Sequence, residues 1–340
     1  IQGVATADVA WQTSLAYAQS RLQMRAANRP ASAQQSAADP IICHPPMQRL
    51  LMDQRAYVEG YRMLAYHIAV ILDEAERTTD TNQRQRKLGQ LSLLTPVIKS
   101  MASDQAFEGA SKALQIFGGH GFVADSGIEQ YLRDTRIAMI YEGTNEIQAI
   151  DLVLRKVVGD KGHELELMLD ELQQLVHDDS SDFMHDERRT LDELIIAVRL
   201  RAKRIIDAAE NDNELPHRVA PDMLRLFGHG VLAGLWLKAA RAARAHLEQD
   251  SVFYQTKIDT ARYYFRYVLP ETARLLQTID QALEDKNESP ARYGLADVFP
   301  LPHETAAQNP GAQRPTDAES VEAADSAPGR NNVETAENKH

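Results

Sequence analysis

The chain has 340 residues, of which 44% are hydrophobic and only 6% aromatic, so it is long enough for one large core or two ordinary ones. Its net charge of −12 argues against a nucleic-acid-binding protein, which is normally basic on one face, and no run approaches the roughly 18 apolar residues of a membrane span. The single cysteine, Cys43, excludes an intrachain disulfide and favours a reducing, cytoplasmic setting. The abundance of Ala, Leu, Gln and Arg favours helices over strands.

The first half of the sequence predicts three long helices. Apolar residues recur at helical spacing over residues 5–24, 47–77 and 84–117. Residues 26–46 contain four prolines, which predicts a long loop. Gly118 and Gly119 supply the left-handed stop that a helix C-terminus favours. The chain begins at Ile1 without a Met and enters a helical pattern at once, so we expect a piece of a longer polypeptide.

The second half predicts further amphipathic helices and no strand. Thr144 is a plausible N-cap for a helix that ends near residue 158, and residues 159–162, Gly-Asp-Lys-Gly, resemble a hinge. Helices are then expected over residues 164–177, 186–211, 219–249 and 252–284. Pro270 should kink the last of these or mark its break. Residues 303–340 contain no Leu, Ile, Phe, Tyr, Trp or Met, which predicts a disordered acidic tail.

A glycine-rich stretch at residues 119–124 fits the loose dinucleotide-binding pattern Gly-x-Gly-x-x-Gly/Ala. That pattern binds a pyrophosphate only when a strand precedes it and a helix begins at the glycines. Here the glycines follow a predicted helix, and Asp125-Ser126-Gly127 stands where the new helix should run. The sequence therefore opposes a Rossmann domain.

A single carboxylate, Glu142, lies on a Tyr-Glu-Gly turn before the helix that Thr144 caps. The apolar run of residues 137–140 leads directly into this turn, which suggests that Glu142 lies at the rim of a buried cavity. A base beside exposed backbone N–H groups can remove a proton next to a carbonyl. The local sequence alone leaves open whether Glu142 is functional or an ordinary surface glutamate.

Several motifs carry a resemblance to a known family. They are Gln-Ile-Phe-Gly-Gly-His-Gly-Phe at 115–122, Glu129, Tyr-Leu-Arg-Asp at 131–134, and Ile-Tyr-Glu-Gly-Thr-Asn-Glu-Ile-Gln at 140–148. Together they resemble the C-terminal helical domain of the flavin-dependent acyl-CoA dehydrogenases. Residues 253–272 are similar to the extra helical domain of a large-subunit branch that includes the 3-(methylthio)propionyl-CoA dehydrogenases. The resemblance implies an all-α fold: a four-helix-bundle-like domain over residues 1–158, a second helical domain over 163–300 and the tail.

The resemblance also implies an activity, the α,β-dehydrogenation of an acyl-CoA with FAD as cofactor. By it, Glu142 is the base that takes the α-proton, and Tyr141 and Gly143 line the acyl slot. Thr144 and Glu146 match positions near the flavin of their own subunit, whereas Arg21, Gln115 and Gly119 match positions that reach the flavin of a neighbouring subunit. It further implies a homo-oligomer, dimer or tetramer, with electron-transfer flavoprotein as electron acceptor and no metal.

The sequence departs from the family in two respects. The usual Arg-x-x-Phe-Gly reads Arg21-Leu22-Gln23-Met24-Arg25, so the aromatic neighbour of the flavin is absent. The N-terminal helical domain and the middle β-domain of these enzymes, which supply most flavin and CoA contacts, have no counterpart in residues 1–340. Two alternatives therefore stay open: one subunit of a split dehydrogenase whose partner carries the β-domain, or a non-catalytic member of the superfamily.

Overall fold

The computed structural model describes residues 1–29, 35–178 and 181–284, and over these residues the fold is all-α, as predicted. The helices are α1 (Gln2–Ser20), α2 (Pro45–Arg77), α3 (Thr81–Phe117), α4 (Gly119–Phe122), α5 (Ile128–Arg136), α6 (Asn145–Ile150), α7 (His163–His177), α8 (His185–Ala209), α9 (Leu215–Ala245), α10 (Ser251–Tyr263) and α11 (Glu271–Glu284). Helices α6 and α10 continue as π-helical turns, Asp151–Val158 and Tyr264–Val268. Leu22 and Pro40 form an isolated β-bridge, and no strand occurs in the described ranges.

Side chains at the helix ends explain why several predicted boundaries are close to the observed ones. The Asp80 carboxylate accepts hydrogen bonds from the backbone N–H groups that open α3, and Thr144 accepts one from Ile147 N at the start of α6, as predicted. Gly118 ends α3 with φ of +60°. The predicted helix at 252–284 is divided by the π-helical turn and by the break at Pro270, and α9 begins four residues earlier than predicted.

Helix α9 lies at the centre of the core and carries its largest buried side chains. Trp236 and Phe227 are almost fully buried, and Tyr264 from the π-helical turn after α10 packs beside Trp236. Apolar residues of α2, α3, α7, α8 and α11 complete the same hydrophobic cluster. The described residues as far as Glu284 thus form one compact unit, in which residues 159–162 make a tight turn with Gly162 at φ of +81°.

The predicted division near residues 158–163 stays a prediction, and the predicted tail at 303–340 lies outside the described residues. Helix α3 matters most for the candidate site, because it packs against α1, α2, α5 and α6 along its length. Within the described ranges, no helix is both long and apolar enough to cross a membrane.

Candidate active site

The Glu142 turn has an unusual backbone. A short 3₁₀ segment, Ile137–Met139, leads into it, and Glu142 and Gly143 have φ of +55° and +82°. A residue other than glycine rarely has a positive φ, and such outliers cluster at functional sites, where surrounding contacts hold them in place. The Glu142 side chain is exposed on this turn.

The cavity expected next to Glu142 stays a prediction, and in the described residues the apolar run before Glu142 is only partly buried. Ala138 is buried, but Ile137 and Ile140 are 49% and 48% exposed because the 3₁₀ turn directs them outward. Ile147, on the first turn of α6, is 53% exposed. Glu142 therefore has three exposed isoleucines within five residues of it in the sequence, called here the exposed apolar patch: Ile137, Ile140 and Ile147.

Lys99 on α3 donates hydrogen bonds to the turn. Its Nζ donates a hydrogen bond of 2.6 Å to the carbonyl oxygen of Gly143 and one of 3.0 Å to Oδ1 of Asn145. Nε2 of Gln148 donates to the carbonyl oxygen of Glu142 at 3.1 Å, and the Tyr141 hydroxyl donates to Oε1 of Gln2 on α1. Both carbonyl groups of the turn are thus held by side chains of neighbouring helices.

Asn145 is the buried residue beneath the turn, with only 7% of its surface exposed. Its Nδ2 donates to Oδ1 of Asp104 at 2.6 Å and to the carbonyl oxygen of Ser100 at 3.1 Å. Ser103 Oγ donates to Oδ1 of Asn145 at 3.1 Å. A buried amide with its groups satisfied in this way fixes the first residue of α6 against α3.

The charges around the turn affect one another. Burial lowers the pKa of Lys99, while the carboxylates of Asp104, Glu142 and Glu146 oppose that change. The pKa of Glu146 is lowered, first by the hydrogen bond from the Thr144 hydroxyl and then by its own backbone N–H in the first turn of α6. One cation and a helix N-terminus therefore support negative charge at this site.

The remaining predicted site residues lie elsewhere, in one cleft of about 730 Å³ at the end of α3. Arg21, Gln115 and Gly119 all line it, together with Met24. A Cβ added to Gly119 would meet open space. In the ranges that the structure describes, no carboxylate forms an ion pair with Arg21, which is exposed. The cleft thus combines a cation and an amide with apolar walls.

Two stacked aromatic rings form one wall of the cleft, and a loop held by an ion pair forms the other. Tyr17 stacks on Phe117 with ring centroids 4.0 Å apart, and its hydroxyl lies 2.8 Å from Nδ1 of His120. Asp39 is fully buried and accepts hydrogen bonds from Arg29 Nε at 3.0 Å and from Ala26 N at 2.8 Å. These contacts fix the loop that carries Arg21 and Met24.

The predicted site residues therefore form two separate sets. Tyr141, Glu142, Gly143, Thr144 and Glu146 share the turn, and the other three share the cleft. Lys99, which contacts the turn, and Gln115, which lines the cleft, are 16 residues apart on α3, so about 24 Å of helix separates the sets at 1.5 Å per residue. One flat cofactor ring cannot touch both.

Sequence reasoning missed the residues that hold the turn. Asn145 and Gln148 were within the quoted motif but received no role. Lys99 and Asp104 carry no signal in the sequence, because their partners are more than 40 residues away. Among the described residues, no group of three or more His, Cys, Asp or Glu could hold a metal ion.

Two family comparisons cover most of this chain. Residues 2–157 match the family described as "Acyl-CoA dehydrogenase, C-terminal domain", and residues 168–286 match "Acetyl-CoA dehydrogenase C-terminal like".

The chain is 36% identical over 298 residues to a 3-methylmercaptopropionyl-CoA dehydrogenase of Ruegeria pomeroyi, covering 83% of this chain and 49% of that protein. It is 30% identical to the broad-specificity linear acyl-CoA dehydrogenase FadE5 of Mycobacterium tuberculosis, covering 85% and 50%. It spans about half the length of these curated relatives.

Solved structures share the fold. An acyl-CoA dehydrogenase of Bacillus anthracis complexed with FAD aligns with a TM-score of 0.63 at 17% identity, over 85% of this chain and 51% of that one. Caenorhabditis elegans ACDH-11 in complex with C11-CoA aligns with a TM-score of 0.62 at 19% identity, over 78% and 41%. These structures show the shared fold, and the two family matches together with the relatives at 36% and 30% identity show that the chain belongs to the acyl-CoA dehydrogenase family and carries its C-terminal helical portion.

Proposed function

We propose that this chain supplies the base and part of the flavin-binding surface of an FAD-dependent acyl-CoA dehydrogenase. The observation that carries the proposal is the Glu142 turn. A carboxylate stands exposed on a backbone of positive φ, and Lys99, Asn145 and Gln148 hold the atoms around it. Such support keeps a reacting side chain in a fixed position.

The chain's own groups suit the abstraction of a proton next to a thioester. The Glu142 carboxylate would take the proton from the α-carbon of the acyl group. Within the described part of the chain, the Glu142 backbone N–H donates no hydrogen bond, so it can donate one to the thioester oxygen and stabilise the enolate-like charge. Bound FAD supplies the acceptor for the hydride of the β-carbon. Tyr141 and Gly143, next in the chain, would line the acyl slot.

The residues present also fit a flavin. The cleft that holds Arg21, Gln115 and Gly119 has apolar walls for a flat ring, a hydrogen-bonding amide and a guanidinium that suits a phosphate. Thr144 and Glu146 belong to the other set, which lies at the Glu142 turn. Because about 24 Å of α3 separates the sets, we propose that each set contacts a different flavin. This arrangement requires a homo-oligomer.

The exposed apolar patch beside Glu142 supports a covered site in the complete enzyme. Ile137, Ile140 and Ile147 are about half exposed and lie within five residues of Glu142, so a covering part would bury further apolar surface next to the carboxylate. The covering part would carry the β-domain, either in the same polypeptide or in a separate subunit. We further propose an acyl-CoA substrate, electron-transfer flavoprotein as acceptor and a cytoplasmic location. A non-catalytic role offers no reason for the fixed turn.

The substitution Glu142→Gln tests the base in the flavin-loaded enzyme that contains this chain. It should leave the flavin spectrum unchanged but slow the bleaching of the flavin by acyl-CoA by roughly 10²–10⁴-fold, the usual contribution of a general base. Glu76→Gln, which removes an exposed carboxylate near the end of α2, is the matched control and should bleach at the normal rate. Normal bleaching by the Glu142→Gln variant would refute the proposed function.

A further inference from the structure

A continuous polar network joins α9 to the Glu142 turn. Arg225 Nη2 donates to Oδ2 of Asp104 at 3.1 Å, and the other oxygen of Asp104 accepts from Nδ2 of Asn145 at 2.6 Å. Oδ1 of Asn145 in turn accepts from Nζ of Lys99, which donates to the Gly143 carbonyl. Arg225 belongs to the second matched region, 168–286, whereas the other members of the network belong to the first.

At its far end the network continues to α11 through longer contacts. Nη1 of Arg225 lies 3.9 Å from Oε1 of Glu271 on α11, and Oε2 of Glu271 lies 3.7 Å from Nε2 of His229. Nδ1 of His229 lies 3.0 Å from the hydroxyl of Tyr264, and the residues His229 and Tyr264 are 2% and 0% exposed. The guanidinium therefore lies between the carboxylates of Asp104 and Glu271.

Arg225 matters to the turn because of the charge on Asp104. The Asp104 side chain is only 15% exposed, and a carboxylate so little hydrated needs a cation nearby. If Arg225 were absent, the nearest cation in the network would be Lys99, which Asp104 already attracts. A Lys99 ammonium drawn toward Asp104 would release the Gly143 carbonyl and loosen the turn.

We propose that Arg225 is a positioning residue for Glu142: acting through Asp104, Asn145 and Lys99, it makes the second helical region set the geometry of the base-bearing turn. The catalytic consequence rests on the proposed function. The structural half of the proposal does not, because it concerns contacts within this chain alone.

The structural half is tested by hydrogen–deuterium exchange on the 340-residue chain. Arg225→Met should speed the exchange of amides in residues 141–148 by about tenfold, while amides of α8 keep their rates. Arg218→Met is the matched control, because Arg218 lies on the same helix but pairs with Asp212 and Glu214. Its turn amides should exchange like those of the wild type. Equal exchange at the turn in the two folded variants would overturn the proposal.

Two milder variants keep the test decisive if Arg225→Met does not fold. Arg225→Lys keeps the charge but cannot contact Asp104 and Glu271 with the same fork, so it should give intermediate exchange. Asp104→Asn removes the carboxylate charge and should also speed exchange at the turn. The double variant Arg225→Lys/Asp104→Asn should speed exchange by less than the product of the two single fold-changes, because the two residues act in one network. Full additivity would count against the proposal.

The catalytic half is tested in the flavin-loaded enzyme. Misplacement of a reacting group by about 1 Å can cost roughly 10²-fold in rate, so we expect Arg225→Met to slow flavin bleaching by about 10-fold or more. The substrate Kd should change by less than about twofold, because no substrate contact is lost. A raised Kd with an unchanged bleaching rate would overturn the positioning role. Normal bleaching by Glu142→Gln would refute the base instead and leave the exchange result intact.

Discussion

The turn and the cleft are built in opposite ways. The Glu142 turn is held by hydrogen bonds from buried or half-buried polar groups, above all Asn145 and Lys99. The cleft is walled mainly by apolar and aromatic side chains, and one buried carboxylate, Asp39, ties down its loop. A base must be fixed within a fraction of an ångström, whereas a surface for a flat ring depends mainly on shape. The difference matches the roles proposed for the two sites.

The substitution Asn145→Leu should have the largest effect, because it removes the centre of the polar network. It removes one hydrogen bond each from Asp104, Lys99 and the Ser100 carbonyl at a buried position, which we expect to lower the free energy of unfolding by about 3 kcal/mol. Urea denaturation of the 340-residue chain measures the loss. Asn82→Leu, at an exposed position in the first turn of α3, is the control and should change stability by less than about 0.5 kcal/mol. Equal effects of the two substitutions would show that the turn is not held by the network.

A pair of glycine substitutions compares the two sites directly. Gly143→Ala should cost about 2 kcal/mol, because φ is +82° there and the added Cβ would lie 3.1 Å from Nε2 of Gln148. Gly119→Ala in the cleft should cost less than about 0.5 kcal/mol, because its φ is not positive and the added Cβ meets open space. Thermal unfolding of the two variants checks the difference. A larger loss at Gly119 would contradict the contrast between a fixed turn and an open cleft.

The last expected effect is a loss of stability in acid. Contact with His229, assisted by Arg225 and Arg274, lowers the pKa of Glu271 from 4.5 to about 2 despite the opposing effect of burial. The carboxylate therefore stabilises the folded state above pH 4.5, and this contribution is lost as the pH falls toward about 2. The stability difference between wild type and Glu271→Gln should shrink over that range. A difference independent of pH would show that Glu271 is not held as an ion at the far end of the network.

The sequence predicted the fold because its helices have local signals. The apolar spacing of residues 47–77 and the cap at Thr144 depend on neighbours within a few residues. Helix α5 was missed, because its nine residues lie in a segment interpreted as a connection between helices. The π-helical turns were also missed, since their pattern hardly differs from that of an α-helix.

The site was predicted only in part, for a physical reason. The motifs at residues 115–122 and 140–148 indicated the family, and the roles of the residues in the two sets stay predictions. The apolar run before Glu142 suggested a buried cavity, but its spacing did not show that Ile137 and Ile140 are about half exposed in this chain. The network depends on pairs such as Arg225 with Asp104, which are 121 residues apart and meet only when α9 packs near α3. Contacts of that kind follow from tertiary packing and leave no periodic pattern.

The most direct test of the central claim follows the proton itself. An acyl-CoA analogue with no hydrogen on its β-carbon cannot transfer a hydride, so proton abstraction can be measured alone. In D₂O, the flavin-loaded enzyme should exchange the α-hydrogen of this analogue for deuterium, as seen by NMR, and Glu142→Gln should exchange it at least about 10²-fold more slowly. Exchange at the wild-type rate in the Glu142→Gln variant would contradict the assignment of Glu142 as the base.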